Sequence, residues 1–180
     1  MNFMPTRKKT AGRSYNAPVP ISAEHDLSGF DSGEPSLDEW LRRRALKNEV
    51  GGASRTYVVC QKRSKRVVAY YCLATGAVAH SSASGRIRRN MPDPIPAMVV
   101  GRLAVDRNHR EKGIGQALVR DAALRTLQAA SIAGIRVILV HAISHQALRF
   151  YERFGFRPSP VDPMTAMISI ADAERAIGRN

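Results

Sequence analysis

The stretch from Val99 to Gln116, V-V-G-R-L-A-V-D-R-N-H-R-E-K-G-I-G-Q, constrains this chain more than any other. An apolar run ends at Val105, a polar turn follows, and Arg110, Gly113 and Gly115 open a segment that continues A-L-V-R-D-A-A-L-R. The pattern is that of a strand, a loop and the start of a helix. The first amides of a helix have no partner within it, and the helix dipole is positive at that end. Glycine lets such a backbone approach a phosphate closely, so the stretch is a candidate anion cradle. It is not a Walker A loop, because the Lys-Ser/Thr pair is missing after the second glycine, and G-x-G-x-x-G does not occur. Taken alone, a surface loop with two glycines would read the same way.

A second block lies downstream, where Ala147, Phe150, Tyr151, Gly155 and Phe156 form A-x-x-F-Y-x-x-x-G-F. The R-x-x-G-x-G loop and this block, in this order and at this spacing, resemble the GNAT acetyltransferases, whose loop holds the pyrophosphate of acetyl-coenzyme A. The segments F-D-S-G-E-P-S-L-D-E-W-L, G-R-L-A-V-D and P-S-P-V-D-P-M are similar to those of GNAT toxins from bacterial toxin–antitoxin pairs. The resemblance covers roughly residues 18–170.

It implies an α/β fold: a single GNAT acyltransferase domain over 18–180, with a mixed, twisted and partly splayed β-sheet flanked by helices. It implies that the backbone of Leu103, Ala104 and Val105 pairs with the pantetheine arm. Arg110, Glu111, Lys112, Gly113, Ile114, Gly115 and Gln116 would hold the pyrophosphate. Glu111 would serve through its N–H, and Arg110 and Lys112 by neutralising phosphate charge. Tyr151 would be the general acid, since a phenol with a pKa near 10 is protonated at neutral pH and can donate to a thiolate. Read without the block, Tyr151 is a core tyrosine with its hydroxyl at the rim. Phe150 and Phe154 read as core. Many GNAT enzymes have Asn where Ser144 stands, so an amide contact to the cofactor is not carried over.

Charge bears on the substrate. The formal net charge is +13 with a pI near 10.7. Residues 1–17 are basic and aperiodic, an arm that would be disordered or an extension, and Arg7, Lys8, Lys9 and Arg13 give it +4. The remaining +9 on so small a body points to a polyanion. Aromatic residues make up only 6%, against base stacking as the main means of recognition. Arg44 and Lys47 on a first helix, Arg88 and Arg89 on a proline-rich loop, and Arg102 on the central strand are the candidate phosphate contacts; each also reads as ordinary solvation. Two isolated cysteines, Cys60 and Cys72, read as buried thiols in a reducing compartment, not as a metal site. No apolar run approaches a membrane span.

The remaining elements follow from pattern. Ser36 to Glu39 reads as a capping box opening a helix to about Asn48, ended by Gly51 and Gly52. Thr56 to Cys60 and Val67 to Ala74 read as a hairpin. Residues 80–96, with Pro92, Pro94 and Pro96, read as loop. Met98 to Val105 is the central strand, and Gly113 to about Ser131 a helix ended by Gly134. Ile135 to Val140 reads as a buried parallel strand. Ser144 caps a helix from His145 to about Phe154, and Met164 to Ile170 reads as a last strand.

The resemblance further implies the reaction and its setting. A toxin of this kind acetylates the α-amino group of aminoacyl-tRNA with acetyl-coenzyme A, blocking translation in the cytoplasm. It is neutralised by a ribbon-helix-helix antitoxin, with which it binds operator DNA, and many form homodimers. An ordinary amine needs a general base, whereas an α-amino group near pKa 8 needs less help. His109, His141 and His145 are the candidate bases. Two other readings remain: a GNAT enzyme acting on a protein N-terminus, lysine or small amine, and a non-catalytic GNAT-fold module binding nucleic acid or a partner.

Overall fold

The computed structural model describes residues 14–178. The expected arm lies outside these residues as far as position 13. Its end does not: Tyr15 is buried and bridges Gln61 at the sheet edge. The strands are β1 Val19–Pro20, β2 Arg55–Cys60, β3 Val67–Val78, β4 Ile95–Val105, β5 Val137–His141, β6 Arg157–Pro158 and β7 Thr165–Ser169. They form one seven-stranded sheet in the order β1-β2-β3-β4-β5-β7-β6. Only β4 and β5 pair in parallel; every other neighbour is antiparallel.

Helix α1 comprises Pro35–Trp40, a π-helical stretch Leu41–Ala45 and Leu46–Gly51. Its buried apolar residues Leu37, Leu41 and Ala45 recur every four positions, a repeat that a wider helical turn keeps in line. The capping box does not form. Pro35, with no N–H to satisfy, sits in the first turn, and Glu34 is the N-cap without a side-chain bond. Ser36 Oγ instead donates to Glu34 Oε1, and Glu39 pairs with Arg43. The buried Asp38 takes the anchoring role, accepting from both the backbone N–H and the hydroxyl of Ser32.

The expected loop 80–96 contains the 3-10 turn His80–Ser82 and a short helix, α2, Gly85–Arg88, both ahead of its prolines. The central strand begins at Ile95, not Met98; Pro96 falls before the pairing with β5, which starts at Ala97. Helix α3, Ile114–Ala130, ends at Ser131, whose N–H and hydroxyl both turn back to Gln128 O, so Gly134 is not its cap. Helix α4 is His145–Glu152, capped by Ser144 Oγ accepting from Ala147 N. A helix not anticipated, α5, Ile170–Gly178, follows β7. Its start carries a capping interaction: Asp172 N donates to Ser169 Oγ, whose hydroxyl donates to Asp172 Oδ2.

The sheet is covered on both faces. One face packs Val68, Tyr71, Val100, Ile138, Val140 and Ile168 against α3, α4 and α5. The opposite face is shared. Val58, Val67, Tyr70 and Ala104 meet α1, while Ile95, Ala97, Val137, Leu139 and Met167 meet Ile87 of α2 and Ala83 before it. Both cysteines are free and buried.

A polar knot fastens α3 to the sheet. Tyr71 donates to Asp121 Oδ2 at 2.5 Å, Arg125 Nε donates to the same oxygen at 2.9 Å, and the Arg125 guanidinium lies 3.9 Å over the Tyr57 ring. Burial, then the bond to Asp121, raises the Tyr71 pKa and keeps the phenol protonated. A hydrogen bond to a charged partner is worth about 1.5–3 kcal/mol. Tyr71→Phe should therefore lower stability by about 1–3 kcal/mol in urea unfolding; an unchanged midpoint would mean that the knot holds nothing.

Candidate active site

The central strand has two edges with different fates. Toward β3 it pairs along its whole length, from Ile95 opposite Val78 to Val105 opposite Ala69. Toward β5 it pairs only from Ala97 to Val100, the last partner being Val140. Gly101 is the extra residue of a β-bulge at that point, since Leu73 faces Val100 and Cys72 faces Arg102. A Cβ at Gly101 would meet Cys72 Sγ at 3.2 Å. Beyond it the strands fork, leaving the β5-facing edge of Leu103, Ala104 and Val105 without a strand partner.

After β4 comes the loop with Arg110 and the glycines. Asp106, only 2% exposed, holds it: Oδ1 accepts from Asn108 N and Oδ2 from Asp31 N. Glu111 at φ 59 and Gly113 at φ 78 are both left-handed, and they turn the chain sharply into α3. The first helical bond runs from Ala117 N to Gly113 O, so the amides of Ile114, Gly115 and Gln116 have no helical acceptor. The two glycines serve different ends. Gly113 supplies the backbone angle; at Gly115 a Cβ would meet Phe150 Cζ at 3.4 Å, so it permits close approach of α4. Around this turn lies a cavity of ≈ 660 Å³, lined by His109, Arg110, Glu111 and Gly113 to Gln116 on one side and by Gln146, Phe150, Arg153 and Phe154 on the other.

Some expectations change here. Arg110 lines the cavity, but its Nη2 donates to the Ser32 carbonyl, which ties it to the loop before α1. Lys112 Nζ donates to Asn108 O at 3.3 Å and is not part of the lining. The exposed Arg153, its guanidinium over the Phe150 ring at 5.6 Å, is a cation on the cavity that the sequence reading missed. Its place one turn after Phe150 was the available signal. Phe150 and Phe154, read as core, both line the cavity while packing against the core on their other side. His109 pairs through Nδ1 with the Tyr15 hydroxyl at 2.8 Å, and burial, then Lys112, lowers its pKa.

Tyr151 is 7% exposed and packs between Phe150 and Phe156, with ring centroids at 5.3 and 5.6 Å. It lines a void of ≈ 10 Å³ together with Val100, Leu103 and Val140, which places it in the fork. Burial, with a contribution from Cys72, pushes its phenol pKa up, so it carries its proton throughout the neutral range.

The five expected phosphate contacts share the sheet face that carries α1 and α2, but in two groups. Arg44 and Lys47 are exposed on α1, and beside them the half-buried Arg102 guanidinium stacks 4.6 Å over Trp40. Arg88 and Arg89 are exposed at the end of α2; Arg89 opens into a recess of ≈ 610 Å³ with Arg86 and Arg136. Arg136 donates to the carbonyls of Ile87 and Arg86, and Arg86 pairs with Asp172. Among the described residues no cluster of His, Cys, Asp and Glu is arranged to hold a metal ion, and no helix is long and apolar enough to cross a membrane.

An anion cradle at a helix start, emptying into a fork between parallel strands with a protonated phenol inside it, is the layout of an acyl-transfer enzyme. The chain belongs to the acetyltransferase (GNAT) domain family, whose description matches residues 53–158. A particular relative resembles it along nearly its whole length: the tRNA-acetylating toxin of Mycobacterium tuberculosis (strain ATCC 25618 / H37Rv), 52% identical over 164 residues, 91% of this chain and 98% of the relative. Among solved structures, a Tyr-to-Phe mutant of KacT superposes with a TM-score of 0.85 at 23% identity, covering 90% of this chain and 98% of its own. AtaT complexed with acetyl-methionyl-tRNAfMet superposes with a TM-score of 0.83 at 25% identity, covering 89% and 98%.

The cradle makes a separable prediction. Gly113→Ala introduces left-handed strain of about 1–2 kcal/mol but no collision. Gly113→Asp adds a carboxylate to the same strain. Calorimetry should show the Asp variant binding acetyl-coenzyme A at least tenfold more weakly than the Ala variant, about 1.4 kcal/mol. Equal binding by the two would remove phosphate from this loop.

Proposed function

We propose that this chain is a toxin acetyltransferase that moves acetyl from acetyl-coenzyme A to the α-amino group of aminoacyl-tRNA and so blocks translation. The observation that carries the reading is the fork, with the cofactor cradle and Tyr151 on one face of the sheet and the basic helices on the other. The identity to a tRNA-acetylating toxin supports the substrate, and a relative solved as AtaTR bound with AcCoA supports the donor.

In this reading the free edge of Leu103, Ala104 and Val105 pairs with the pantetheine arm. The amides of Glu111 and Gly113 to Gln116 take the pyrophosphate, with Arg153 adding charge beside Arg110, one arm of which is held by the Ser32 carbonyl. Tyr151 gives its proton to the departing thiolate. Arg44, Lys47 and Arg102 on one side and Arg88 and Arg89 on the other hold tRNA phosphates. The α-amino group of an esterified amino acid is largely neutral near pH 8, so it attacks without being first stripped of a proton by a strong base. A homodimer, a ribbon-helix-helix antitoxin, operator DNA bound together with that antitoxin, and a cytoplasmic setting complete the reading. KacTA solved as a DNA complex and AtaT solved with the C-terminus of the antitoxin AtaR are in keeping with it.

Three measurements follow. Tyr151→Phe keeps the ring and should lower turnover roughly 10²–10⁴-fold while acetyl-coenzyme A still binds; parental turnover would dismiss the acid. With radiolabelled acetyl-coenzyme A, label should enter charged but not uncharged total tRNA, and mild base should release it as an N-acetyl amino acid. Replacing Arg88 and Arg89 together by Ala should weaken tRNA binding and flatten its salt dependence, because each lost phosphate contact removes released counterion. Label on protein alone would move the substrate to a protein amine.

A further inference from the structure

We infer that His141 is the proton acceptor for the attacking amine, held for that task by Thr165 and Asp162. Val140 is the last residue of β5 paired to β4, so His141 is the first residue beyond the fork. Side chains alternate along β5. Ile138 and Val140 enter the core beneath α3 and α4, whereas Val137 and Leu139 enter the one beneath α2. His141 therefore lies on the α1 and α2 face, the face of the basic residues, and it is exposed there. Tyr151 lies on the other.

The hydrogen bonds fix which nitrogen is free. Thr165, opposite His141 in β7, donates its only hydroxyl proton to Asp162 Oδ2 at 2.6 Å. Toward His141 Nδ1, at 2.8 Å, the same oxygen must then accept. Nδ1 thus carries a proton in the neutral ring, and the Nε2 lone pair is left for an incoming group. Asp162 is held as a carboxylate: the Thr165 hydroxyl and then Met164 N–H keep its pKa below the usual range. Asp162 and Thr165 are positioning residues, because they act through the imidazole.

The step balances. The amine nitrogen forms a bond to the thioester carbon, whose π pair moves to oxygen. The nitrogen, now positively charged, gives a proton to His141 Nε2. The oxygen pair returns, the C–S bond breaks, and the sulfur takes the Tyr151 proton. One proton is accepted on one face of the sheet and one is donated on the other, and solvent exchange restores both groups. The inference rests on the acetyl transfer proposed above, not on which amine receives the group.

The test uses the full chain and first finds which amine the parent acetylates. If charged tRNA takes no label but another amine does, the substrate reading fails and His141 is assayed on that amine. His141→Ala and His141→Gln should lower kcat by about 10²-fold. Calorimetric acetyl-coenzyme A binding should be unchanged, and free imidazole should restore turnover to the Ala variant. Thr165→Val should lower kcat without changing KM for the amine, and Thr165→Ser should restore it. Parental kcat in both His141 variants would overturn the assignment. So would a loss in the cofactor-binding Ala variant that imidazole does not repair, or equal rates for the Val and Ser variants at Thr165.

Discussion

Everything at this site depends on one strand having a partner along only part of one edge. β4 cannot follow β5 past Val100, because the bulge at Gly101 shifts its register while β3 keeps it paired to Val105. The bulge is tight: a Cβ on its glycine would crowd Cys72, whose sulfur would have to give way by a few tenths of an ångström. An interior strand with unpaired backbone is costly, since buried amides and carbonyls need partners. A ligand with amides of its own can supply them, and the fork is the place in this sheet where one would fit.

The two faces then divide the work. Under α3 and α4 the fork is lined by Val100, Leu103, Val140, Tyr151 and Phe156, an environment that holds a phenol in its neutral form. Toward α1 and α2 the surface carries cations such as Arg44, Lys47, Arg88 and Arg89 that have no acidic partner among the described residues, beside pairs such as Arg43 with Glu39 and Arg86 with Asp172. Apolar and anionic parts of two substrates would thus be sorted by the sheet itself. Arg102 shows how closely the regions meet, lying on the central strand yet stacked on Trp40 of α1.

Much of this was legible in the sequence. The strand, loop and helix at Val99 to Gln116, the hairpin and the Ser144 cap all rest on local chemistry, and local chemistry decided them. Elsewhere the sequence was a poorer guide. Arg110 reads as a phosphate ligand, and nothing in its surroundings in the chain foretells that Ser32, 78 residues away, accepts from its guanidinium. Ser36 reads as a cap because its spacing to Glu39 is right, yet Pro35 starts the helix before it. Helix α5 has a signal in Ser169 and Asp172, but the apolar strand that runs directly into it masks the boundary. The free nitrogen of His141 could not be read at all: it depends on Thr165, which only the pairing of β5 with β7 brings opposite.

Tyr15 buttresses the loop between β4 and α3, reaching His109 across 94 positions. During synthesis the residue that buttresses this loop leaves the ribosome long before the loop does. Tyr151 leaves later still, and β7, which flanks β5, after that. A nascent chain therefore carries the basic helix α1 well before the loop ahead of α3 and Tyr151 have been made. Any activity against the translation machinery would begin only after β7 had left the ribosome.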